Sequence, residues 1–234
     1  MGMKTTAVLN VKSLKEQVYD YLREQMRLGE ILPGSVIDME KTSQRLGVSK
    51  TPLRDALLQL EAEGFVTIYP RRGIVVNILS LQDIKNYYDI IGALESTAML
   101  LAFENIRDRE IKTMEKLIVG MRTAIEADNF DSYYEKNLKF HDVYLALCGN
   151  ENLVKIVRTF KKRLYDFPRQ RGFVKEWEAA SIREHSELLK LIKQGRAAAA
   201  AFFIRDVHWS FKVQEKYINR YYEKAPEYWN GRTN

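Results

Sequence analysis

His141, His185 and His208 are the only histidines in the 234-residue chain, and each falls on the apolar stripe of a helical pattern. His185 heads the series His185, Leu188, Leu189, Ile192; His208 follows Ala197, Ala201 and Ile204; His141 shares a face with Tyr144 and Leu145. All three imidazoles should therefore point into a helical bundle. His185 lies ten residues before the Gly195 turn and His208 thirteen after it, so an antiparallel pair would carry them about 15 Å and about 20 Å from the turn, nearly level. Asn137, one helical turn before His141, offers a further donor on the same face. Four such groups from three helices suit a divalent metal with open positions for water or an anion. They suit equally a set of hydrogen-bonded core histidines, which is the commoner fate of an inward histidine, and spacing alone leaves both readings open.

A second set of residues could bind a polyanion. Ser49 reads as the N-cap of a helix with Pro52 in its first turn and Leu53, Ala56, Leu57 and Leu60 at i, i+3, i+4, i+7. That stripe turns inward and leaves Lys50, Thr51 and Arg54 facing out near the helix start. Two cations there oppose the helix dipole by roughly 0.3–1 kcal/mol each, which is understandable if a phosphate or base accepts them. The strand-like runs 65–69 and 74–76 flank Pro70-Arg71-Arg72-Gly73, a hairpin whose tip carries two adjacent arginines. A helix-turn-helix can be a plain packing unit, but with an arginine-tipped wing after it the arrangement predicts DNA binding through Ser49, Lys50, Thr51, Arg54, Arg71, Arg72 and Gly73.

The elements that must position these groups divide in two. Ser13-x-x-Glu16 is a capping box that opens a helix with Val18, Tyr21, Leu22 and Met26 inward, and the helix-turn-helix and wing come after it, giving a first domain over 1–78. From Ser80-x-x-Asp83 onward the periodicity is 3.6 residues. It predicts about six antiparallel helices over 79–234: Leu81 to Glu104, Asp108 to Ala127, Asp131 to Cys148, Asn150 to the Phe167-Pro168 loop, one capped by Ser181-x-x-Glu184, and Arg196 to Tyr222. The fold class expected is mainly α: a winged helix-turn-helix followed by an all-α bundle with room for a ligand.

Composition bounds the function. The chain is 46% hydrophobic and 29% charged, with a net charge of +6 that is spread over both domains rather than gathered in one. DNA binding must then rest on where charge sits, not on its total. A single cysteine, Cys148, excludes an internal disulfide and fits a reducing cytoplasm. The segment Met1 to Asn10 lacks the apolar core of an export signal, and no run is long enough to span a bilayer. A cytoplasmic protein with no membrane partner is expected.

The runs Leu46-Gly47-Val48-Ser49-Lys50-Thr51-Pro52-Leu53-Arg54-Asp55-Ala56-Leu57, Leu60 to Phe65 and Arg71-Arg72-Gly73 resemble the DNA-binding domain of GntR-family transcription regulators. In that family the residues at Ser49, Lys50, Thr51, Arg54 and the wing glycine touch DNA. The runs Asn137 to His141, Gly149 to Leu153, Glu184-His185 and His208 resemble the FCD effector domain of its FadR-type branch. The resemblance implies a divalent metal, zinc or nickel, on Asn137, His141, His185 and His208, and a small organic acid held near it. This chain departs at four positions. Lys50 stands where arginine is usual, Glu40 where some members have a DNA-contacting arginine, Asn137 where aspartate is usual, and Ile91 where an arginine often precedes the glutamate at Glu95. Asn137 removes a negative charge and so favours an anionic ligand. With Ile91 in place, Arg163 or Arg183 is the candidate carboxylate anchor.

The expected protein is a homodimeric, ligand-responsive repressor on a pseudo-palindromic double-stranded operator. Two other classes compete with it: a metal-dependent enzyme fused to a DNA-binding domain, and a ligand-free architectural DNA binder. Catalysis needs a general base, and the sequence shows no carboxylate at a convincing spacing inside the bundle, since Glu184 points a different way from His185 around its helix. No enzyme activity is expected.

Overall fold

The computed structural model describes residues 12–165 and 174–223. They fall into two compact units, one ending at Ile78 and the other beginning at Leu79. The loop expected from Phe167 through Gly172 and the polar tail to Asn234 lie outside the described residues.

In the first unit, α1 (Leu14–Arg27) starts at a full capping box, Ser13 bonding the Glu16 amide while Glu16 bonds back to Ser13. Its buried stripe is Val18, Tyr19, Leu22 and Met26. Tyr19 takes the inward place expected for Tyr21, because its ring packs inside while its hydroxyl reaches the Glu63 carboxylate, and Tyr21 stays half-exposed. Helix α2 (Met39–Leu46) is capped by the Asp38 carboxylate, which accepts from the amides of Glu40 and Lys41 at 2.9 and 3.0 Å. It stops at Gly47, whose φ of 63° is the left-handed conformation that glycine adopts without strain.

Helix α3 (Lys50–Ala62) begins at Ser49 in extended conformation and buries Leu53, Ala56, Leu57 and Leu60 completely. The inward stripe is the one its spacing predicts. Strands β2 (Val66–Tyr69) and β3 (Gly73–Val76) pair antiparallel, with Tyr69 opposite Gly73 at the tip. A two-residue strand β1 (Val36–Ile37) adds to the other edge of β3, giving the order β1-β3-β2. Two residues are too few for a period-2 pattern, so β1 was not legible.

The second unit is all helix: α4 (Leu81–Ala102), α5 (Asp108–Glu126), α6 (Phe130–Leu145), α7 (Glu151–Tyr165), α8 (Lys175–Lys193), α9 (Ala197–Phe203) and α10 (Phe211–Glu223). Helix α5 packs on α6 and α8, while α4 packs on α7 and α9. Two expectations need correction. Helix α8 starts at Lys175, so Ser181 and Glu184 sit in its interior and form no cap. The last helix is not continuous. After α9 the chain makes a π turn over Ile204–His208, bends at Trp209, and resumes as α10. A π turn inserts a residue into the ladder and rotates every later side chain about the axis, which no 3.6-residue pattern foresees.

Gly92 on α4 is what lets that turn come close. A Cβ there would lie 3.0 Å from the Trp209 Cβ and 3.5 Å from the Arg205 carbonyl oxygen, neither of which can swing away. Gly92→Val should therefore cost about 1–3 kcal/mol by overpacking. Thermal unfolding followed by circular dichroism should show a fall of several degrees; an unchanged midpoint would mean that the π turn has slack against α4.

Candidate metal centre and nucleic-acid surface

The three histidines converge. His141 on α6, His185 on α8 and His208 at the end of the π turn are all buried, and their ligand-capable nitrogens lie within 4.8 Å of one another. The Nε2 atoms of His185 and His208 each lie 3.2 Å from Nε2 of His141.

The group behind each ring decides what its Nε2 presents. His141 Nδ1 is 2.8 Å from Glu95 Oε2, and His208 Nδ1 is 2.7 Å from Glu184 Oε2. A carboxylate at Nδ1 takes the ring's only proton in the neutral form, so Nε2 is left as a bare lone pair. Two such lone pairs face each other at 3.2 Å. Protonation of His141 or His185 does not relieve them at neutral pH. Burial lowers the His141 pKa to about 3 despite the opposing pull of Glu95, and burial together with the other two histidines holds His185 well below its usual value. His185 could give one Nε2 proton to His141, but its own buried Nδ1, which has no hydrogen-bond partner, would then be a bare acceptor. With all three rings in the neutral form, one proton among three converging nitrogens leaves the set unsatisfied, whereas a single cation satisfies all three. Neutral imidazoles of this number suit zinc, copper or nickel.

Glu95 on α4 anchors the arrangement. It is wholly buried, and its Oε2 accepts from Tyr144 Oη at 2.5 Å and Trp209 Nε1 at 2.9 Å, besides His141. The buried Lys161 ammonium pairs with Oε1. Burial raises the Glu95 pKa, and His141 and Lys161 outweigh it and hold the carboxyl well below its usual range. Glu184 is held in turn by Gln214, whose Nε2 donates to Oε1 at 2.9 Å and whose own Oε1 accepts from Trp177.

These supports were not found from the sequence. No carboxylate was expected inside the bundle, and the structure places Glu95 at its centre. Glu184 diverges from His185 around α8 as expected, and the divergence carries it to His208 instead. Tyr144 at i+3 from His141 was a readable signal, while Trp209 depends on the π turn and was not.

Asn137 is buried one turn before His141, and its Oδ1 has no hydrogen-bond partner. Of the two arginines considered as carboxylate anchors, Arg163 is buried on α7 and Arg183 is exposed on α8, so the two are not brought to a common site. In the first unit Ser49, Lys50, Thr51 and Arg54 are all exposed around the start of α3, and Arg71, Arg72 and Gly73 are exposed at the wing tip. Arg71 adopts a φ of 64° there.

Residues 14–76 match the family described as bacterial regulatory proteins, gntR family, and residues 86–207 match the FCD domain. The chain belongs to the gntR family, in its FCD-bearing form. It is 26% identical over 186 residues to the uncharacterized HTH-type transcriptional regulator YdhC of Bacillus subtilis, covering 79% of this chain and 83% of that one. It is 29% identical over 160 residues to the HTH-type transcriptional repressor RspR of Escherichia coli, covering 65% and 70%. The solved structure of E. coli McbR/YncC superposes with a TM-score of 0.68 at 20% identity, over 92% of this chain and 99% of that one, a likeness of fold. The gntR-family chain is thus a DNA-binding transcription regulator and not an enzyme. No helix among the described residues is long and apolar enough to cross a membrane.

Glu184→Gln keeps the shape behind His208 but removes the charge that fixes its tautomer. Were zinc held on the three histidines, its affinity, measured by competition with a chromophoric chelator, would fall about 10- to 100-fold in this variant; an unchanged affinity would show that Glu184 does not support the site.

Proposed function

We propose that this regulator is a metal-loaded sensor of a small organic acid, acting as a homodimeric repressor on a pseudo-palindromic operator. The observation that carries the reading is the set of three buried imidazoles whose ligand nitrogens converge, two of them with a carboxylate behind the ring. His141, His185 and His208 would hold zinc or nickel, and the unpartnered Oδ1 of buried Asn137 supports it as a fourth donor. When bound, the metal supplies a positive centre with positions left for water or a carboxylate.

Charge favours an anion there. Glu95 is already neutralised by Lys161, and Asn137 adds no negative charge, so Glu184 is the one uncompensated carboxylate of the set opposite a divalent ion. Buried Arg163 remains the candidate second anchor for the acid; exposed Arg183 is the poorer one. His208 gives the acid a route to the backbone, because it sits at the end of a π turn that is followed by the bend into α10. An acid that binds better to one setting of that turn shifts the population of the other, and only by its difference in affinity between them.

Ile90 and Leu101 lie exposed three turns apart on α4, an apolar stripe that supports dimerisation through this helix. A two-fold dimer would offer two α3 helices to successive major-groove faces. The relative RspR is named as a repressor, which favours repression here.

Two measurements test the two halves. Zinc or nickel should raise the melting temperature, at about 2.7 kcal/mol of stabilisation for a hundred-fold excess over Kd. Small carboxylates should raise it further only with metal present, and His185→Ala should lose both responses. No shift with any divalent ion would sink the sensor. On DNA, Arg54→Ala should abolish specific binding, whereas Arg71→Ala or Arg72→Ala should weaken all sequences alike and reduce the salt slope by about one. Wild-type affinity in the Arg54 variant would displace α3 as the reading helix.

A further inference from the structure

The cations on the DNA-facing surface are not equivalent. Among the described residues Arg54, Arg71 and Arg72 have no acidic partner, whereas Lys50 is in an ion pair with Glu40, reaching back from the first residue of α3 to the first turn of α2. The carboxylate is held on its other side as well, Gln44 Nε2 donating to Oε1 at 3.1 Å. The start of α2 is itself fixed by the Asp38 cap. Both partners are open to solvent, at 61% and 57% side-chain exposure, and an exposed pair of this kind contributes little to stability. It is therefore a poor device for holding the fold. The pair is ionised, with the contact to Lys50 lowering the Glu40 pKa and the contact to Glu40 raising that of Lys50.

Its chemistry toward DNA differs from that of a free lysine. A lone ammonium serves any phosphate, but an ammonium with a carboxylate beside it is repelled by phosphate at one of its two ends. The partner that satisfies both ends presents an acceptor and a donor side by side. In the major groove a G·C pair does so: guanine O6 and N7 accept, and cytosine N4 donates to a carboxylate.

We propose that Glu40 is a specificity-determining residue, which with Lys50 forms a zwitterionic reader of a G·C base pair and keeps Lys50 from acting as a general phosphate anchor. The inference rests on the assignment of α3 as the helix that reads DNA. The two wing arginines then supply sequence-independent attraction, Arg54 reads bases from the start of α3, and the Glu40–Lys50 pair adds discrimination at one further position of each half-site.

The test is in vitro selection from a randomised duplex library with the full chain, as wild type, Glu40→Gln, Glu40→Ala and Arg54→Ala, followed by titration of the selected duplex and of an unrelated duplex across salt with these proteins, Lys50→Ala and the double variant Glu40→Ala/Lys50→Ala. The wild type should select a G·C pair at a fixed position in each half-site, and Glu40→Gln should lose that preference by about ten-fold or more. Glu40→Ala should bind the unrelated duplex more tightly, with a salt slope steeper by about one as Lys50 is freed for a phosphate. Lys50→Ala should weaken binding more than the double variant Glu40→Ala/Lys50→Ala, because it leaves a bare carboxylate facing the polyanion. Unchanged base preference and salt slope in both Glu40 variants, with Arg54→Ala inactive, would overturn the inference alone. Wild-type binding by Arg54→Ala would overturn it together with the placement of the reading helix.

Discussion

A fully buried carboxylate is worth several kcal/mol of desolvation, and the helical unit is arranged around meeting that cost at Glu95. The donors that meet it come from separate elements: Lys161 from α7, His141 and Tyr144 from α6, and Trp209 from the bend after the π turn. Each is thereby held against α4. Such a centre is intolerant of piecemeal change, because removing one donor leaves a charge unpaired in a low dielectric. The same carboxylate orients His141, so one interaction both ties the bundle together and sets what its central imidazole offers to an ion.

The π turn is the second half of the same device. In a continuous helix from Arg196 to Tyr222, His208 would keep the facing assigned by Ala201 and Ile204; in the structure it still points inward, and the extra residue lets Trp209 point inward beside it. Two consecutive buried side chains are hard to accommodate on one regular helical face. The turn accommodates them, and Gly92 on the facing helix leaves the backbone room to do so. Glu184 then meets His208 from α8, so all three histidines are supported or confined by helices other than their own.

Legibility depended on the range of the interaction. The stripe Leu53, Ala56, Leu57, Leu60 and the capping boxes at Ser13 and Ser80 are local, and they were readable because each depends on residues within two turns. The convergence of His141, His185 and His208 needed one further assumption, antiparallel neighbours about a short turn, and it too was reached. Beyond reach were features made by partners far apart in the chain. Glu95 lies 46 positions from His141 and 114 from Trp209, Ser181 and Glu184 imitated a cap inside a longer helix, and β1 exists only because β3 lies beside it.

Ile91 makes sense beside the Glu95 centre. It is fully buried on α4, one turn before Glu95, where an arginine would add a second buried cation next to Lys161. With Lys161 already balancing Glu95, such a cation would need an anion of its own to be stable when no ligand is bound. An isoleucine avoids that demand and packs. The carboxylate ligand proposed for this unit would then meet no guanidinium at this position of α4, and its affinity would rest on the proposed metal more completely than in a pocket that carries one.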